Sequence, residues 1–138
     1  MPIDRRAVAD AAARLQPRVE SLLLTFYDSP RWLDDRWAVL GSDEGTELRV
    51  EADSAHVVSI DPDGQLPMRF VNSTIEQLVR CIDAYRDYAV AVAAADESAA
   101  FAIVEGLRRT LASIDPPAVT EPDAWWAIVL EQAADGLV

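Results

Sequence analysis

The chain has 138 residues, is 51% apolar, and carries 24 acidic against 12 basic side chains, a formal net charge of −12. That length predicts one domain over residues 1–138, large enough to bury roughly 68–70% of its unfolded surface without disulfide or metal support. The charge argues against nucleic acid and anionic membranes as partners, because both would have to be held by neutralising phosphates.

Other classes fall on composition. No apolar run reaches the roughly 18–20 residues of a membrane span, and Met1-Pro2-Ile3-Asp4-Arg5-Arg6 is not followed by a signal-peptide core. A cytoplasmic protein is expected. Every basic residue is arginine, which removes Schiff-base and P-loop lysine chemistry. One histidine and one cysteine are too few for a His/Cys metal cluster within one chain. No metal or cofactor is expected. Cys81 reads as a buried thiol.

In chain order, residues 4–15 read as a first helix, with Asp4 at its positive end. Val19–Tyr27 is an apolar stretch of undecided type, broken by Asp28-Ser29-Pro30, and Arg31–Asp35 is a charged connector holding Trp32. About four antiparallel strands then follow as a meander: Trp37–Leu40, Glu47–Glu51, His56–Ile60 and Leu66–Val71. Gly41–Gly45, Ala52–Ser54 and Asp61-Pro62-Asp63-Gly64 are the turns between them.

The second half is helical. Ser73-Thr74-Ile75-Glu76 has the S-x-x-E pattern of a capping box, and apolar residues recur at Ile75, Leu78, Val79, Ile82, Tyr85, Ala89 and Val92. Glu76 and Arg80 stand four apart as a favourable helical pair. Asp96-Glu97-Ser98 opens the next helix, whose apolar face is Phe101, Val104, Leu107, Leu111 and Ile114, and Pro116-Pro117 ends it. Thr120-Glu121-Pro122-Asp123 reads as a further cap before a last helix, Ala124–Ala134, closed by Gly136. Strands followed by helices predict an α+β fold, an antiparallel-rich meander with helices packed on it.

Enzyme chemistry has little support. His56 is better read as a structural histidine than as a general base, and neither a G-x-S-x-G elbow nor a phosphate loop occurs. Asp61 and Asp63 form a D-x-D that suits a turn better than a cation, since the rest of a calcium loop is missing. Asp43, Glu44 and Glu47 make a second acidic loop. Alternate turns of a meander share one end, so these loops are expected to give the sheet a negative rim. Trp125-Trp126 are about 100° apart on the last helix, so one is expected to anchor the core and the other to lie at its edge or face a partner; both partly buried against the rest of the fold is the favoured reading.

Phe70-Val71-Asn72-Ser73-Thr74-Ile75-Glu76-Gln77, after the Asp61–Gly64 hairpin, resembles the F-V-N-S-S-x-E-Q segment of the SUKH superfamily. The late Trp125-Trp126, Val129–Gln132 and Gly136-Leu137 are similar to the end of its fourth subfamily, bacterial immunity proteins. Thr74 stands where that pattern has its second serine, and Leu78 where it often has an aromatic. The resemblance implies a SUKH-like fold and a non-enzymatic protein that binds and neutralises a cognate toxin, often a nuclease or nucleic-acid deaminase. Such toxins tend to be basic, which suits the acidic chain. Some relatives are regulatory or scaffold interaction domains, and that is the alternative. The residues expected to meet the partner are Asp43, Glu44, Asp61 and Asp63, with Trp32 as an aromatic anchor.

Overall fold

The computed structural model describes residues 4–15 and 24–136. Helix α1 (Arg5–Ala13) starts where Asp4 accepts the Ala7 N–H at 2.7 Å, as an N-cap should. Five strands follow: β1 (Leu24–Trp32), β2 (Trp37–Asp43), β3 (Thr46–Glu51), β4 (Val57–Ile60) and β5 (Arg69–Asn72). They form one sheet in the order β1-β2-β3-β4-β5, every neighbouring pair antiparallel. Helices α2 (Ile75–Ala94), α3 (Glu97–Ile114) and α5 (Trp125–Ala134), with a helical turn α4 (Pro117–Thr120), complete the order. This is the α+β meander that the hydrophobic pattern predicts.

The register assigns each strand residue to a face. Trp32, Ala38, Val50, Val57 and Asn72 form one cross-strand row, and Phe26, Gly41, Leu48, Ser59 and Arg69 another. Ala38, Leu48, Val50, Val57 and Asn72 in these rows are fully or almost fully buried, and the apolar ones pack with Ile75, Leu78, Ile82, Leu111 and Trp126 of the helices. The row Arg31, Val39, Arg49, Val58 and Phe70 has the opposite parity and lies on the other face.

The structure moves several expected boundaries. The apolar stretch from Val19 lies partly outside the described residues, and its end, Leu24–Tyr27, opens a fifth strand that the sequence leaves undecided. Asp28-Ser29-Pro30 does not end that strand. The register against β2 shifts between Phe26 and Arg31, so the turn-like residues are absorbed as an irregularity inside β1. Gly41, expected in a turn, lies within β2, where a Cβ would collide with the Thr25 carbonyl and come within 2.8 Å of the Phe26 Cα. Glycine is what lets β1 close on β2 there.

Strand β5 begins at Arg69 and not at Leu66, because Asp61 draws the Gln65 and Leu66 amides into the loop at 2.9 and 3.0 Å. Phe101 is 75% exposed and outside the core; it sits about 60° around the helix from Val104, where the buried stripe begins. Thr120 does not cap α5. Its hydroxyl donates to the Pro116 carbonyl at 2.8 Å, and α5 starts behind Ala124 with no side-chain cap. Gly136, with φ 74°, follows α5 in the left-handed conformation expected of a C-terminal glycine.

Candidate functional site

Two hairpin tips come to one end of the sheet. The β2–β3 turn is Glu44-Gly45, with φ of 43° and 104°, the positive pair that a type I′ hairpin requires. Asp43 beside it is half-buried, and its carboxylate accepts the Trp125 indole N–H at 2.8 Å. The β4–β5 loop is folded around Asp61, whose carboxylate accepts the N–H groups of Asp63, Gln65 and Leu66 at 2.9–3.0 Å. Gly64, at φ 73°, completes that turn by donating its N–H to the Asp61 carbonyl at 3.0 Å.

The four expected loop acids thus divide by role. Asp43 and Asp61 hold the loops in shape, while Glu44 and Asp63 are exposed. The α4–α5 connection joins them at the same end, because Trp125 reaches Asp43 and Arg69 Nη1 donates to the Asp123 carbonyl at 3.4 Å. Its Glu121 and Asp123 are exposed too. Neither was expected here, since T-E-P-D reads as a helix cap and only tertiary packing brings it to the rim. Among the described residues, none of Glu44, Asp63, Glu121 and Asp123 enters an ion pair. The end therefore carries a net negative field, which Arg69 beside Asp123 offsets only in part.

Trp32 is not part of this rim. It lies at the far end of β1, paired with Ala38 and half-buried, with the Arg5 guanidinium 4.5 Å above its ring. That opposite end pairs part of its charge internally. Arg5 meets Asp35 at 3.2 Å, and Arg36 Nε donates to Glu51 at 2.7 Å. Asp34 accepts the N–H groups of Trp37 and Arg36, which hold its carboxyl below the usual 3.8. Hydrogen bonds from Ser54 and then Arg36 lower Glu51 in the same way.

The F-V-N-S-T-I-E-Q segment is closed to solvent where it is most distinctive. Asn72 is fully buried; its amide N–H donates to Asp115 at 2.9 Å and its carbonyl accepts the Trp126 indole N–H at 2.9 Å. Ser73 gives Asp115 both its backbone N–H at 2.8 Å and its hydroxyl at 2.7 Å. The cap of α2 is consequently displaced by one residue. Thr74 is the N-cap and accepts the Gln77 N–H at 3.2 Å, because Asp115 has taken Ser73. Gln77 in turn donates to the Ile114 carbonyl at the end of α3. Glu76, left outside the box, lies 3.7 Å from Arg14 and not in a pair with Arg80.

Trp125 and Trp126 are both buried, edge to face at 4.8 Å, so neither is available to a partner. Each indole N–H is satisfied within the chain, the first by Asp43 and the second by Asn72. Cys81 is fully buried beside Asn72, and burial pushes its thiol up to about 12, far from the thiolate a nucleophile needs. His56 is exposed and meets Phe70 edge-on at 5.3 Å. Among the described residues, no group of three or more His, Cys, Asp or Glu could hold a metal, and no helix is long and apolar enough to cross a membrane.

Residues 7–132 match the model of a family described as SUKH-4 immunity protein. No curated protein and no solved structure matches the chain.

Proposed function

Because the chain belongs to the SUKH-4 immunity protein family, we propose that it binds a basic bacterial toxin, a nuclease or nucleic-acid deaminase, in the cytoplasm of the producing cell. Family membership implies toxin neutralisation without catalysis. The acidic rim supplies the binding end in this reading. Glu44, Asp63, Glu121 and Asp123 face outward without internal counter-ions, and Asp43 and Asp61 fix the loops that present them. The observation that carries the reading is the contrast between the two ends of the sheet: Arg5 and Arg36 pair with Asp35 and Glu51 at one, while the exposed carboxylates of the other enter no ion pair among the described residues.

A toxin that grips nucleic acid must gather cationic side chains around its phosphate path. An acidic rim competes for those cations, steers the encounter at long range, and occludes the substrate path. Trp32, at the self-paired end, would be a separate contact and not an anchor of the rim.

The test is co-expression and pull-down with candidate toxins, beginning with any protein encoded beside this gene. Cells carrying the parent chain should survive. A variant with Glu44→Lys, Asp63→Lys and Asp123→Lys should lose both rescue and capture while keeping its circular dichroism spectrum. Association should weaken steeply between low and high ionic strength. Capture that ignores both salt and the charge reversal would remove the electrostatic basis of the proposal. Capture of a partner with no rescue from any candidate toxin would favour a regulatory or scaffold role for the same fold.

A further inference from the structure

The β4–β5 loop presents more than carboxylates. Leu66 is 54% and Met68 61% exposed, with the exposed Pro67 between them. The other large apolar side chains exposed among the described residues are Leu33, Val90 and Phe101. Those stand singly on the β1–β2 hairpin, α2 and α3, and a lone exposed apolar residue needs no explanation. Leu66, Pro67 and Met68 are three in succession, and a contiguous apolar group bordered by polar residues points to an interaction surface.

The loop's own hydrogen bonds create this group. A strand beginning at Leu66 would have carried both side chains into the ladder. Asp61 instead accepts the Gln65 and Leu66 N–H groups at 2.9 and 3.0 Å, and pairing with β4 begins only at Arg69, opposite Ser59. The backbone is therefore fixed on both sides. Asp61 holds it before Leu66, and the β4 ladder and the Arg69 bond to the Asp123 carbonyl hold it after Met68. Pro67 restricts the middle. Apolar side chains on a fixed backbone lose little freedom when a partner covers them. Met68, unbranched and polarisable, adapts to an irregular surface.

Carboxylates border the group. Asp63 precedes Leu66 in the same loop, Asp123 is tied to Arg69, and Glu44 stands on the hairpin tip at the same end of the sheet. An apolar centre inside a charged border is the anatomy of a protein interface, in which the centre carries the hold and the border keeps water out.

We infer that Leu66 and Met68 are the apolar anchors of the acidic rim, and that the partner surface they fit is basic with an apolar recess among its cations. The inference rests on the reading of the rim as the end that meets a basic toxin, and it divides the work within that site. The carboxylates select and steer a cationic partner. Leu66 and Met68, desolvated in the recess, set how long the partner stays. Nucleic-acid enzymes combine these two features, cations along the phosphates and an apolar slot for a base. A partner of equal charge without a recess is gripped more weakly.

The experiment titrates the full chain with two hexapeptides of equal charge, one alternating arginine with tryptophan and one alternating arginine with glycine. Amide chemical shifts locate each probe and calorimetry gives its affinity. Both should perturb Glu44 and the loop from Asp63 to Arg69, and the tryptophan probe should bind about tenfold more tightly. Leu66→Ser with Met68→Ser should bring the tryptophan probe down to the affinity of the glycine probe and leave the glycine probe unaffected. Both residues are exposed, so the circular dichroism spectrum should not change. Glu44→Gln with Asp63→Asn should weaken both probes. Equal affinity of the two probes at the rim, or a tryptophan probe indifferent to the serine pair, would overturn the anchors and leave the acidic rim standing. So would tryptophan-probe shifts centred on Trp32 or on the α2–α3 seam. Failure of both probes to bind at the rim would overturn the reading of the rim, and the anchors with it.

Discussion

The β5–α2 joint and the acidic rim are both rich in polar side chains, and they use them in opposite ways. At the joint, Asn72, Ser73, Asp115 and Trp126 turn inward and satisfy one another. No buried side-chain nitrogen or oxygen among the described residues lacks a partner. At the rim, the carboxylates of Glu44, Asp63, Glu121 and Asp123 are exposed, and among the described residues none of them enters an ion pair. The difference teaches that the segment which identifies the family is a structural latch. It fastens a strand end, a helix start, the end of α3 and the start of α5 at one buried point. The exposed acidic surface lies elsewhere, on loops with no such signature.

The largest loss is expected from Asp115→Ala. It removes the acceptor of the buried Asn72 amide, which keeps only the Cys81 sulfur, and of both part-buried Ser73 donors, and a buried donor without a partner costs about 1–3 kcal/mol. A loss of about 3–4 kcal/mol in urea unfolding is expected, with toxin capture retained by the fraction that remains folded. Gly41→Ala should follow. Its new Cβ would meet β1 backbone, for a loss of about 2–3 kcal/mol by the same measurement. Glu44→Gln with Asp63→Asn should do the reverse, changing stability by less than about 0.5 kcal/mol while lowering toxin affinity. If these two exposed changes unfolded the chain as Asp115→Ala does, the division between latch and rim would collapse.

A pH series sharpens the contrast at the self-paired end of the sheet. The Asp34 carboxyl is held below its ordinary 3.8 by backbone N–H donors. A depressed carboxylate contributes stability above its unfolded value and loses it as pH falls through the folded one. Parent and Asp34→Asn should therefore differ in urea midpoint at neutral pH and converge below pH 3.8. The smallest effect is expected from Glu44→Asn, which places a residue tolerant of positive φ at a site with φ 43°. It should raise the thermal midpoint slightly while removing one rim charge.

Much of the fold was legible because patterns of period 2 and 3.6 survive in strands β2–β4 and in α2, α3 and α5. The misreadings have one physical source, partners distant in sequence. The capping box moved from Ser73 to Thr74 because Asp115, 42 residues away, competes for the serine. Asp28-Ser29-Pro30 looked like a chain break because nothing local reveals that Gly41 opens room for β1. The burial of both tryptophans, the reading that the sequence favours, also rests on a distant partner: Asp43, 82 residues from Trp125, supplies the acceptor that an edge indole would otherwise seek in water. The rim was half legible. Turn chemistry marks the two hairpin tips, but only packing adds Glu121 and Asp123 and separates Trp32 from them.

The irregularity in β1 has a consequence for life at high concentration. As the outermost strand, β1 presents a margin that a neighbouring molecule could extend into a continuous intermolecular ribbon. The slip between Phe26 and Arg31 interrupts the regular spacing of its main-chain groups, and Pro30 lacks an amide proton to offer. An exposed aspartate and serine occupy the same interval. The β1 margin is therefore a poor template for a second copy to pair with.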